Sequence, residues 1–101
     1  MTKIFILVLL FSSLLSSSEL DGKKVFETYC WGCHHQTAVA FGPPFSEIAN
    51  KRSKSEIQAY IISPKSMYRT FGYKRSVMTQ LELTNEELES ISDYILLYKG
   101  K

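Results

Sequence analysis

Apolar residues are distributed unevenly along this 101-residue chain, and the first of them form a block rather than a stripe. Lys3 is followed by an unbroken apolar run from Ile4 to Phe11, then Leu14 and Leu15, then Ser16, Ser17 and Ser18. A basic start, a short apolar stretch and small residues at its end make up a secretory signal. A membrane-spanning helix needs about 20 apolar residues, and this stretch is shorter. The pattern predicts a signal peptide over residues 1–18, cut near Ser18, with an uncleaved anchor as the alternative. No Cys lies near the cut, which argues against a lipid anchor. Residues 19–101 then form one exported domain.

Beyond the leader the apolar positions recur at helical spacing, interrupted by loops. Val25, Phe26 and Tyr29 share a stripe behind Asp21, a capping candidate, so a short helix is predicted to run into Cys30. Residues 36–50 break that period. Gly42-Pro43-Pro44 lacks two amide donors and restricts the residues before each proline, so this stretch is predicted to be a loop with a rigid corner. Ser53 followed by Glu56 is a capping box, and Ile57, Tyr60 and Ile61 lie on one face of the helix it starts; Pro64 ends that helix. Lys65 to Leu83 shows no sustained period and is predicted to be loop with one helical turn. A second capping box, Thr84 with Glu87, opens the clearest stripe of the chain: Leu88, Ile91, Ile95 and Tyr98. No segment alternates as a strand does. The expected fold class is all-α, with three to four short helices.

Composition agrees with one globular domain, since 45% of residues are hydrophobic and 13% aromatic. The net charge is +2, and loss of the leader removes only Lys3, so the mature chain is close to neutral and no nucleic-acid partner is expected. The charges are nevertheless segregated. Lys51, Arg52, Lys54, Lys65, Arg69, Lys74 and Arg75 have only Glu56 among them, while Glu82, Glu86, Glu87, Glu89 and Asp93 follow. A domain this small buries a modest core and gains from a staple such as a disulfide, a metal or a covalent cofactor.

The staple is legible at Cys30-Trp31-Gly32-Cys33-His34, a C-x-x-C-H. On a helix-like turn, two thiols at this spacing can reach the two vinyl groups on one edge of a porphyrin and form thioethers. The next residue, His34, is then carried beneath the ring, where its imidazole binds iron. Zinc would require further ligands, and the only other histidine is the adjacent His35. A thioredoxin-type site would sit in a βαβ unit that is not present in the pattern. A plain structural disulfide is the simplest alternative for an exported protein.

The arrangement resembles class I cytochromes c across nearly all of the mature chain. In that family a Gly and an aromatic stand at fixed distances before the first haem cysteine, where the N-terminal helix crosses the C-terminal one. Gly22 and Phe26 occupy those places, and the resemblance implies Tyr94, with Ile91 beside it, as their partners. It also implies that a backbone carbonyl in the Gly42-Pro43 loop accepts a hydrogen bond from the proximal imidazole. Trp31, between the cysteines, is expected at the surface. Tyr60, Tyr68, Phe71, Tyr73, Phe41 and Phe45 are candidates to wall the ring.

The sixth iron position decides between electron transfer and ligand binding. His35 stands on the same side as His34 and cannot reach the opposite face. The soft candidates are Met67 and Met78, Met1 belonging to the leader. Met78 resembles the family's distal methionine on the loop leading into the last helix and is the preferred ligand. A departure is Thr79, where many relatives have Pro. Met67 is expected to pack against the haem or core. The resulting expectation is a periplasmic, monomeric carrier of single electrons with one covalent haem c, and not an enzyme. Its partners would be redox proteins such as a cytochrome oxidase, a cytochrome bc-type complex, a peroxidase or a periplasmic reductase. A basic rim from Lys65 to Arg75 would steer docking to an acidic partner. Two alternatives stand beside it: a haem-based sensor or weak peroxidase with an open distal site, and a redox or structural disulfide protein without haem.

Overall fold

A computed structural model describes residues 21–101, and the signal peptide expected over residues 1–18 lies outside the described residues. The chain is helical from Asp21 to Cys30 (α1), and its last turn, Phe26–Cys30, is a π-turn closed by the Trp31 amide donating to the Phe26 carbonyl at 2.9 Å. Asp21 is already helical and therefore is not the cap residue. Val25 and Phe26 are buried as their stripe predicts, but Tyr29 is 46% exposed. It lines a cavity instead of the core.

Residues 45–51 correct the sequence reading. Helix α2 spans Phe45–Lys51, where a continuous loop is predicted from the prolines. The physical reason is position. Pro44 stands at the helix start, where a missing amide donor costs no hydrogen bond, and its carbonyl accepts from the Ile48 amide at 3.2 Å. Phe45 and Ala49, one helical turn apart, are both buried.

Helix α3 spans Lys54–Ile62 and begins at the expected capping box, with Ser53 accepting from the Glu56 amide and Glu56 accepting from the Ser53 amide. Pro64 ends it and also opens the next helix, α4, Pro64–Met67. The last helix, α5, spans Asn85–Leu96 behind the capping box of Thr84 and Glu87. The described residues thus hold five helical segments rather than three to four, with no strand among them.

The core forms where α1, α2 and α3 pack on α5, with Ile91 fully buried. Gly22 brings α1 onto α5 so closely that a Cβ there would stand 2.6 Å from both the Ser90 carbonyl oxygen and the Tyr94 Cβ. The crossing is filled by aromatics. Phe26 lies 5.7 Å from Tyr94 and 5.1 Å from Phe45, and Phe45 meets Tyr94 edge-on at 6.3 Å. Such pairs contribute about 0.5–1.5 kcal/mol each beyond the area they bury.

Packing of α3 on α5 also partly undoes the charge segregation. Lys54 bridges Glu89 and Asp93, and Gln58 donates to Glu89 at 3.0 Å. The Lys54 ammonium, with Gln58, holds the Glu89 carboxyl below its ordinary value. Between α4 and α5 the chain turns at Gly72, which takes a left-handed φ of 86°. Residues 74–83 make no backbone hydrogen bond among the described residues.

Candidate functional site

The C-x-x-C-H segment continues directly from the π-turn. The amides of Cys33 and His34 both donate to the Cys30 carbonyl, at 3.1 and 2.9 Å, so the motif is wound as one helix-like turn. Three further backbone bonds fold the proline corner against it: Gly42 to Cys33 at 2.6 Å, Phe45 to His35 at 2.9 Å and Ser46 to Gln36 at 2.9 Å. The corner therefore serves as a bracket for His34.

That bracket defines the imidazole chemistry. His34 Nδ1 lies 2.7 Å from the Pro43 carbonyl oxygen, which can only accept, so Nδ1 carries the proton and Nε2 keeps the lone pair. Phe45 stacks on the ring at 5.6 Å. Gly42 contributes clearance: a Cβ there would come within 2.5 Å of His34 Cε1 and 2.9 Å of Nδ1. His35 is occupied differently, its Nδ1 accepting from the Thr37 and Ala38 amides at 3.1 and 3.0 Å.

The two cysteines are not joined to each other; Cys30 is half-buried and Cys33 exposed. Burial, with the neighbouring Cys33 adding to it, pushes the Cys30 thiol up to about 11.

Cys30, Cys33, His34 and Met78 all line one cavity of about 320 Å³. Met67, at the end of α4, does not line it. The remaining wall is mainly apolar, with Ile57, Ile61, Ile91 and Ile95 among its residues, and Arg52 and Arg75 also reach it. Of the aromatics expected around a ring, Tyr60, Phe71, Tyr73, Phe41 and Phe45 do line the cavity, whereas Tyr68 does not. Trp31 is 70% exposed, as expected. Among the described residues no group of three His, Cys, Asp or Glu side chains gathers to hold a bare metal ion.

These residues fit a haem. An imidazole lone pair and a thioether are ligands that haem iron takes, two thiols supply thioether bonds, and an apolar cavity suits a porphyrin face. The glycine clearance at His34 adds that the ring is held in one orientation by its own backbone surroundings. The Gly42-Pro43 loop holds the His34 imidazole as the resemblance implies, and Gly42 adds the clearance for its ring. Arg52, in contrast, enters the cavity wall with no spacing signal in the sequence.

No curated protein and no solved structure matches the chain. A family model does: that of cytochrome c, over residues 20–98. The match spans the helix crossing, the C-x-x-C-H turn, the proline corner and the loop and helix that close the cavity, and it implies covalently bound haem c and electron transfer through it. This chain belongs to the cytochrome c family.

Proposed function

We propose that the mature protein is an exported electron carrier with a single haem, in which Cys30 and Cys33 form the thioethers, His34 Nε2 is the proximal ligand and Met78 Sδ the distal one. The observation that carries this reading is the convergence of those four side chains on one apolar cavity, with His34 already fixed in the Nδ1–H tautomer. Haem held this way supplies a reversible one-electron Fe(III)/Fe(II) couple. The chain's own contribution is positional. The Pro43 carbonyl makes the imidazole a stronger donor, the isoleucines exclude water, and the thioether favours the reduced state relative to a second imidazole.

The leader over residues 1–18 supports export to the periplasm, where thioether attachment and collisional electron exchange would take place. Lys65, Arg69, Lys74 and Arg75 are exposed and make no salt bridge among the described residues. This supports docking to an acidic redox partner, an oxidase, bc-type complex, peroxidase or reductase. The second-order rate of electron exchange is then expected to fall as salt rises, and a flat profile would remove the steering argument.

A second reading, a ligand-binding sensor or weak peroxidase, is favoured by one observation: residues 74–83, which carry Met78, make no backbone hydrogen bond among the described residues. Expression in a host that attaches haem separates the readings. A covalent haem that titrates as a low-spin one-electron couple supports the carrier. A high-spin covalent haem that binds carbon monoxide or peroxide readily supports the second reading, and a protein without haem rejects both.

A further inference from the structure

Met78 sits on a stretch with few attachments of its own, but the start of that stretch is anchored. The Phe71 carbonyl accepts a hydrogen bond from Arg52 Nη2 at 2.8 Å, and the guanidinium carbon lies 4.2 Å from the centre of the Phe71 ring. Tyr60 of α3 extends the anchor, meeting Phe71 at 5.2 Å and Tyr73 at 5.7 Å. Arg52 itself is fixed between α2 and α3, its side chain only 22% exposed and 3.9 Å from Glu56. A cation enters the wall of the cavity, and its hydrogen bond is spent on a loop carbonyl 19 residues away.

We propose that Arg52 is the positioning residue for Met78: by clamping Phe71 it confines residues 74–83 so that the thioether stays at the cavity. This inference rests on the reading of Met78 as the distal ligand. Without the clamp residues 68–73 keep their own turn bonds and their packing on Tyr60, so loop closure alone changes the confinement little. The larger effect is the lost charge-assisted bond and the lost stacking over Phe71, which together shift the local equilibrium by about tenfold. Thr79, with its unrestricted φ, leaves the task to this clamp.

The test uses the haem-loaded protein and imidazole as an external competitor for the distal position. The apparent affinity for imidazole reports how often the thioether leaves. Arg52→Met is expected to raise that affinity about tenfold and to weaken the sulfur-to-iron charge-transfer band, with Arg52→Lys between it and wild type. In a Met78→Ala background, which binds imidazole freely, Arg52→Met is expected to change nothing, a result that a general loss of structure would not give. Wild-type affinity in Arg52→Met overturns the proposal, and so does an equal shift in both backgrounds. Arg52→Gln, which keeps a neutral donor, covers the case in which Arg52→Met loses haem: about a threefold rise is expected, and no rise is equally fatal. A wild-type protein that lacks the band and binds imidazole as Met78→Ala does overturns the Met78 reading itself, and Arg52 with it.

Discussion

Replacing Gly22 with alanine tests the helix crossing on which the site is built. The added Cβ would stand 2.6 Å from the Ser90 carbonyl oxygen and 2.6 Å from the Tyr94 Cβ, where ordinary carbon contacts need about 3.5–4.0 Å. Neither neighbour can swing away, because one is backbone within α5 and the other is fixed to it. The helices must therefore separate by about 1 Å, which forfeits a quarter to a half of the attraction at each contact. Overpacking of this kind costs about 1–3 kcal/mol, and loosening of the Phe26–Tyr94 and Phe45–Tyr94 pairs adds about 1 kcal/mol. Against this, alanine in a helix gains about 0.5–1 kcal/mol over glycine. The net expectation is a loss of about 1–3.5 kcal/mol, or a fall of about 5–25 °C in Tm for a domain of this size. Valine should cost more. Thermal unfolding of the haem-loaded protein followed by circular dichroism gives the value, with Gly32→Ala as control, since a Cβ at Gly32 meets nothing within 4 Å. A Gly22→Ala protein as stable as wild type, or more stable, would refute the close-crossing argument.

Gly42→Ala is expected to push the His34 ring off the Pro43 carbonyl, weakening the proximal bond and raising the high-spin fraction in the visible spectrum, while Gly32→Ala leaves that spectrum unchanged. The Lys54–Glu89 bridge predicts a pH dependence. Because the folded state lowers the Glu89 carboxyl from its ordinary value of 4.5, its stabilisation is complete above that value and is lost as pH falls through the lowered one. Glu89→Gln should therefore have a lower Tm than wild type at neutral pH, with the difference closing as pH falls through the lowered value; a difference independent of pH would contradict the assignment.

What was legible in the sequence was largely local. The capping boxes at Ser53 and Thr84 are formed by residues three apart, and both start helices where expected. The C-x-x-C-H turn was legible from its own spacing, and the Gly22–Tyr94 crossing through the family resemblance, which carries long-range pairing that periodicity alone does not. α2 was hidden because Pro43-Pro44 reads as a break in both directions, although proline forbids only what precedes it. Tyr29 lies on the cavity wall and not in the core, a distinction that a helical stripe alone does not carry. The paired state of Lys54 and the clamp at Arg52 were not legible, since each joins residues far apart through contacts that leave no spacing behind.

In the proposed carrier one haem is held by Cys30, Cys33 and His34 and closed by Met78. The visible spectrum of the oxidised and reduced protein, for wild type, Met78→Ala and Met67→Ala, tests that arrangement most directly. Covalent low-spin haem is expected, with a sulfur-to-iron charge-transfer band that is lost in Met78→Ala and kept in Met67→Ala. A band that survives Met78→Ala, or a wild-type spectrum that is already high-spin, would contradict it.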